Sequence, residues 1–95
     1  MVVNNLLLKL KTSEEDTIRR TQEVLLSMKR KIDVLIDIQV EVNIRPGQSN
    51  YDLILITKFE SLEALDVYLS HPAHLEVAKF IGSVLDTQAS VCYKV

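Results

Sequence analysis

Three side chains that can exchange or hold protons stand close together in the second half of the chain. They are Tyr68, His71 and His74, and Pro72 lies between the two histidines. A histidine with a pKa of about 6.5 accepts a proton from carbon or oxygen at neutral pH, and a phenol can hydrogen-bond the oxyanion that results. The spacing of Tyr68 and His74 across the proline allows both side chains to face one cavity. The sequence therefore contains the parts of a general-base site.

Each of these side chains also has a purely structural explanation. His71 can cap a helix that restarts at Pro72, and His74 can hydrogen-bond a backbone carbonyl beneath that helix. Tyr68 can be an amphipathic core residue whose hydroxyl reaches water. From the residues alone, the structural and the chemical interpretations both stay open.

No other recognisable site is present in the sequence. Cys92 is the single cysteine, so it forms no internal disulfide and gives no metal-ligand spacing. The acidic cluster Glu14 to Asp16 favours the first turn of a helix, and the basic triplet Lys29 to Arg30 to Lys31 favours the end of that helix. No glycine-rich phosphate loop or Ser/His/Asp set is recognisable. We therefore expect neither a metal ion nor a cofactor.

Composition indicates one small domain of ordinary charge. The 95 residues carry 11 basic and 13 acidic side chains, a net charge of −2, which does not favour a nucleic-acid surface. The first residues lack the features of a signal peptide, and no apolar stretch approaches the roughly 18 residues that a membrane span needs. We expect a single domain over residues 1–95, located in the cytoplasm, with no nucleic-acid or membrane partner.

Hydrophobic periodicity predicts an alternation of strands and helices. Ser13 and Ser61 are N-cap candidates for the first two helices, and Pro72 interrupts the second helix and starts a third. The predicted strands are Val2 to Leu10, Val34 to Ile44, Tyr51 to Phe59 and Thr87 to Val95, with a turn-rich connection over residues 45–50. The predicted helices run from about Glu14 to Lys31, from Ser61 to the break at Pro72, and from Ala73 to about Gly82.

The same periodicity predicts which face of each helix is buried. For the first helix these residues are Ile18, Leu25, Met28 and Ile32. For the second helix they are Leu62, Leu65 and Leu69, and for the third Leu75, Ala78 and Ile81.

The order βαββαβ favours a ferredoxin-like α+β fold, with a four-stranded antiparallel sheet and the helices on one face. In that topology the first and third strands lie in the middle of the sheet. Those two strands are also the ones with apolar residues on both faces, whereas the second and fourth alternate as edge strands do. Sequence pattern and topology therefore agree.

The two faces of the central strands differ in apolar content. The richer face, which we expect under the helices, carries Leu6, Leu8, Leu10, Tyr51, Leu53, Leu55 and Phe59. The sparser face has Leu7, Ile54 and Ile56 at its centre, and no element of the chain is left to cover it. A second copy is the most economical cover, so we expect a homodimer with these three residues at its interface.

The stretch from Tyr51 to His74 carries a more specific pattern. It contains Tyr51-Asp-Leu, Phe59, Ser61 and Glu63, and it ends in His71-Pro-Ala-His74. This resembles the signature of the stress-responsive α/β-barrel family, often called Dabb domains, and the opening Leu6 to Lys11 is similar to that family's first strand. The resemblance implies a dimer in which two ferredoxin-like sheets pack face to face into an α+β barrel.

The resemblance also implies a pocket between sheet and helices. Family members include plant polyketide cyclases, in which a tyrosine and the last histidine of the motif work together, and the matching residues here are Tyr68 and His74. The first strand of the family often carries a further pocket histidine, where this chain has Asn4. An amide is not a proton acceptor, so mechanisms that need two imidazoles lose support.

Two functions remain as hypotheses. The first is a homodimeric binding domain that accepts a small, mostly apolar or aromatic ligand without chemistry. Its expected pocket residues are Asn4, Leu6, Leu8, Leu55 and His71. The second is an enzyme of the polyketide cyclase, isomerase or cofactor-independent monooxygenase type, with His74 as base and Tyr68 as oxyanion partner.

Overall fold

In the computed structural model, which describes residues 1–45, 47 and 49–95, four antiparallel strands form one sheet with the helices on one face. Its strand order, β2-β3-β1-β4, places the first and third strands in the middle and confirms the ferredoxin-like prediction. In chain order the elements are β1 (Val2–Leu10), α1 (Glu15–Leu26), β2 (Asp37–Val42), β3 (Leu53–Phe59), α2 (Leu62–Ser70), α3 (Pro72–Val84) and β4 (Leu85–Lys94).

The central strands bury their helix-facing side far more completely than the opposite side, as predicted. The buried residues of this side are Leu8, Leu10, Leu53, Leu55 and Phe59. On the open face of the sheet, Leu7 lies opposite Ile54 in the ladder, and Leu7, Ile54 and Ile56 are half-buried. Tyr51 was expected within the third strand, but β3 begins two residues later and Tyr51 is half-buried.

Helix α1 is shorter than predicted. It ends at Leu26 rather than near Lys31, because the chain then continues through tighter turns in which Met28 N–H donates to the Leu25 carbonyl at 3.2 Å. Arg30 adopts a positive φ of 70°, a left-handed conformation that a helix interior does not allow. Met28 and Ile32 are nevertheless buried. Their spacing predicted burial correctly and helical conformation wrongly.

The predicted cap at Ser13 is wrong. The N-cap residue of α1 is Glu14, which makes no side-chain capping hydrogen bond. Ser13 instead donates through Oγ to Oδ1 of Asp52 at 3.4 Å, and the same buried carboxylate accepts the Leu10 N–H at 2.8 Å. Asp52 thus ties the end of β1 to the start of β3 and uses the hydroxyl that was expected at the helix.

Strand β2 is also shorter than its alternating sequence, which runs from Val34 to Ile44. Leu35 N–H donates to the Ile32 carbonyl at 3.1 Å, so this part of the alternation belongs to the turns after α1. At the other end Val42 pairs with Leu53, the first residue of β3, and Ile44 beyond it is 93% exposed. The pairing partner therefore limits the strand. In the 45–50 connection, Pro46 and Gln48 lie outside the described residues, and Asn50 Nδ2 donates to the Arg45 carbonyl at 2.6 Å.

The junction between α2 and α3 is as predicted. Ser61 caps α2 by accepting the Ala64 N–H at 3.1 Å. His71 ends α2 and caps α3, where its Nδ1 accepts the Ala73 N–H at 3.0 Å, and Pro72 occupies the first turn.

The buried faces of α2 and α3 keep Leu65 and Ile81 as predicted but are otherwise rotated from the predicted ones. In α2 the sheet-facing residues are Leu65 and Tyr68, whereas Leu62 and Leu69 are exposed. In α3 they are Val77 and Ile81, which lie one turn apart, and Leu75 is 56% exposed.

Strand β4 follows α3 without a loop and forms an edge of the sheet. Leu85 at its start packs against the core, and its later apolar residues face the open side, where Ala89 lies opposite Leu7 and Tyr93 opposite Val3. Val91 is 65% exposed there. The apolar surface of the open face therefore extends from the central strands onto this edge. None of the helices in the described part of the chain is long and apolar enough to cross a membrane.

Candidate active site

A cavity of about 560 Å³ lies between the sheet and the helices. Its floor comes from β1, β3 and β4, and its walls come from α1 with its following turn and from α2 and α3. The lining is mostly aliphatic and contains no Asp, Glu, Lys or Arg. The lining residues are Asn4, Leu6, Leu8, Leu25, Met28, Leu55, Leu65, Tyr68, Leu69, His74, Val77, Ala78, Ile81, Gly82, Leu85, Gln88 and Ser90.

The structure brings most of the predicted site residues to this cavity. Tyr68 and His74 are among the lining residues, together with Asn4 and the expected leucines of β1 and β3. His71 is not among them. Its Nδ1 is occupied by the Ala73 N–H, so this histidine serves the helix junction, the structural alternative that the sequence had left open.

The lining also includes residues that the sequence analysis missed. Gln88 and Ser90 enter from β4, because the ladder places them beside Leu8 and Leu6 of β1. Gly82 enters from α3. Gln88 and Ser90 are polar residues that alternate with the apolar ones of β4, so the sequence pattern does not mark them as pocket residues. Only their register with β1 places them at the cavity.

Tyr68 packs between two aromatic rings, each tilted against its own. It is 2% exposed, and its ring centroid lies 5.0 Å from that of Phe59 and 4.6 Å from that of His74. Burial raises the pKa of Tyr68 to about 12, because desolvation disfavours the phenolate. At neutral pH the side chain is therefore a phenol that can donate a hydrogen bond into the cavity.

His74 has a buried polar atom with no protein partner. Within residues 1–45, 47 and 49–95, its Nδ1 is the one buried side-chain nitrogen or oxygen that lacks a hydrogen bond. Leaving such an atom unpaired costs about 1–3 kcal/mol, so a bound group that pairs with it is stabilised. Burial lowers the pKa of His74, and the backbone carbonyl of Leu69 acts in the opposite direction.

The pair combines complementary proton chemistry. A neutral imidazole accepts a proton, and a neutral phenol donates a hydrogen bond to an oxygen that gains negative charge. Both rings face an apolar space in which such interactions are stronger than in water. No three His, Cys, Asp or Glu side chains in the described ranges are grouped to hold a metal ion.

The lowered pKa of His74 predicts a loss of stability in mild acid. The native state takes up this proton at a lower pH than the unfolded chain, whose histidine has the ordinary pKa of 6.5, so the unfolded state binds more protons just below that value. The free energy of unfolding should therefore fall as the pH drops below that value. Urea unfolding at pH 7.5 and 5.5 measures this loss. In His74→Gln the loss should be smaller, and an identical loss in both proteins would contradict the prediction.

Solved structures show the same fold over nearly the full chain. A dimeric protein of unknown function and ferredoxin-like fold from Bacteroides fragilis shares 24% identity at a TM-score of 0.86, covering 99% of this chain and 95% of that one. A protein from Arabidopsis thaliana shares 23% identity at 0.85, covering 100% and 95%. The hydroxynitrile lyase from Passiflora edulis shares 12% identity at 0.84, covering 99% and 92%.

The family is shown by a sequence comparison. Among proteins with curated descriptions, none matches the chain. A family model described as the stress responsive A/B barrel domain, Dabb, matches residues 5–95. This range includes the whole Tyr51 to His74 segment, and with it the two neighbouring rings of Tyr68 and His74, which we call the ring pair. The chain therefore belongs to the stress responsive A/B barrel domain family.

Proposed function

We propose that the protein is a homodimer in which each subunit binds a small, uncharged and mostly apolar ligand between its sheet and its helices. The observation that carries this proposal is the cavity itself. Its volume of about 560 Å³ is in the range of about 300–1,000 Å³ typical of small-molecule sites. It offers an aliphatic lining, one phenol and one imidazole nitrogen without a protein partner. An ionised ligand would lose its hydration there without meeting a counter-charge.

The dimer is supported by the open face of the sheet. Two shallow grooves of about 270 and 290 Å³ flank Ile54, and apolar residues from all four strands line them. A contiguous apolar surface of this kind is typical of an interface. The Bacteroides fragilis protein of the same fold is described as dimeric. Because the cavity lies on the other side of the sheet, dimer formation leaves it accessible.

A matched pair of probes tests the ligand site. 2-Acetylnaphthalene is a neutral aromatic ketone, and 2-naphthoate has nearly the same shape with a full negative charge. We expect the ketone to shift the NMR signals of the His74 and Tyr68 rings in a saturable way and to bind at least tenfold more tightly than the carboxylate. Equal binding of the two probes, or ketone binding that leaves both rings unshifted, would contradict the proposed site.

The second candidate function is enzymatic, and the ring pair favours it. With rings 4.6 Å apart, His74 can remove a proton from the carbon beside a bound carbonyl while Tyr68 donates a hydrogen bond to the enolate oxygen. This step is common to cyclase, isomerase and cofactor-independent monooxygenase chemistry. Asn4 supplies no second base, so the step relies on one imidazole.

Exchange of the probe's methyl protons for deuterium separates the two functions. In D₂O an enzyme should accelerate this exchange in 2-acetylnaphthalene above the buffer rate, and His74→Gln should abolish the acceleration. Tyr68→Phe should reduce it about 10²–10³-fold, as the loss of one oxyanion donor does elsewhere. Binding without accelerated exchange would establish the first function and exclude this step for the probe.

A further inference from the structure

The exposed residues of the cavity lining show where the cavity opens. Most lining residues are buried or half-buried, and the exposed ones belong to α3, to β4 and to the end of α2. They are Leu69 of α2, Ala78 and Gly82 of α3, and Gln88 and Ser90 of β4. The opening therefore lies between α3 and the edge strand β4.

The packing of α3 explains why an opening is present there. The helix packs against α1 and α2 rather than against β4. It runs into β4 without a loop, from Val84 to Leu85. Ala78 and Gly82 lie one turn apart on the same helix face, and they are the smallest side chains of the rim.

Gly82 is not required by the backbone or by packing. Its φ is not positive, and a Cβ built at this position would meet no atom within 4 Å. Glycine is among the least favourable residues inside a helix, so alanine would be tolerated and stabilising here. The space that a side chain at position 82 would enter is the mouth of the cavity.

From this geometry we infer that Gly82 sets the size of the entrance through which the ligand passes between α3 and β4. The inference rests on the proposed function, because an entrance has a role only if the cavity takes a ligand. A ligand site is supported independently by two lining side chains: Tyr68, which is 2% exposed, and His74, whose buried Nδ1 has no hydrogen-bond partner within the described residues. A ligand that enters here is a flat or narrow uncharged molecule, which passes the two small residues and meets Tyr68 and His74 inside.

Side-chain size at position 82 tests the entrance through the association rate of 2-acetylnaphthalene, obtained from the exchange line shapes of the His74 and Tyr68 ring signals. Gly82→Leu should slow association at least tenfold. Gly82→Ala should keep the wild-type association rate within about threefold and raise Tm by about 4 °C, through the higher helix propensity of alanine. Ala78→Leu, one turn earlier on the rim, should slow association as Gly82→Leu does.

Ser83→Leu is the matched control, because it adds a leucine at the next exposed helix position, outside the cavity lining. It should associate with the probe at the wild-type rate. If the wild type binds the probe and both rim variants, Gly82→Leu and Ala78→Leu, associate with it as fast as the wild type does, the entrance is overturned while the proposed function stands. If the wild type itself does not bind the probe, the ligand site fails and the entrance fails with it.

Discussion

Ile54→Lys should convert the proposed dimer into monomers or aggregates. Ile54 lies at the centre of the open face, between Leu7 of β1 and Glu41 of β2 in the ladder. In a two-fold interface the same patch meets itself, so the substitution places two new positive charges in one apolar contact. Removing a lysine from water costs several kcal/mol even with Glu41 beside it, which is a large part of the free energy of dimer formation.

Light scattering after size exclusion measures the outcome. The wild type should have twice the chain mass of 10.8 kDa. The control is Val67→Lys, which adds the same charge at an exposed apolar position of α2, on the other side of the sheet. This control should remain dimeric. A folded Ile54→Lys protein of unchanged mass would show that the subunits do not meet at this face, and so would a monomeric wild type.

The bounds of a strand were predictable where neighbouring strands pair with it along its whole length. The prediction for β1 matches its observed bounds, because this central strand is paired along its length on both sides. The alternation of β2 continues beyond its ladder in both directions, since a period of two describes extended backbone whether or not a partner lies beside it. The extent of an edge strand is decided by its neighbour, which a single sequence does not reveal.

The end of α1 shows a second limit. Met28 and Ile32 keep the spacing of a buried helix face, and both are buried. The chain reaches them through turns that include Arg30 at a positive φ, a position where glycine is the usual residue. Because no glycine or proline stands there, the sequence carries no signal that the helix ends before the basic triplet of residues 29–31.

The candidate site was predictable where a motif or the alternation of a central strand described it. The spacing of Tyr68, Pro72 and His74 led to two residues that line the cavity, and the richer face of β1 and β3 led to three lining leucines. The β4 contribution was not predictable from pattern, because Gln88 and Ser90 are polar residues of an edge strand. Their place at the cavity follows from the β1–β4 register, which only the folded sheet defines.

Phe59→Ala should be the most damaging core substitution for both stability and the site. Phe59 is 0% exposed and is the largest of the fully buried side chains. Truncation of such a residue costs about 3–5 kcal/mol through lost apolar burial and the cavity left behind. A domain of this kind has about 5–15 kcal/mol in total, so the variant should be marginally folded. Urea unfolding measures the loss.

The effect should reach the ring pair because Phe59 supports it. The Phe59 ring packs on Tyr68 at 5.0 Å, and Tyr68 packs on His74 at 4.6 Å. Removing the first ring leaves Tyr68 free to move, so affinity for 2-acetylnaphthalene should fall together with stability. Phe59→Leu, which refills most of the volume, should restore much of the stability but less of the affinity, because a leucine does not hold the tyrosine ring at its tilt.

Phe80→Ala is the matched control within the chain. Phe80 is the other phenylalanine, and it is half-buried on α3, where the Arg20 guanidinium lies 5.8 Å from its ring centroid. It lies outside the cavity lining. Because less apolar area is buried there, its truncation should cost less than half as much and leave the affinity unchanged. Equal losses of stability for the two alanine variants would contradict the central role of Phe59. Unchanged affinity in a folded Phe59→Ala protein would show that the Phe59 ring does not position Tyr68.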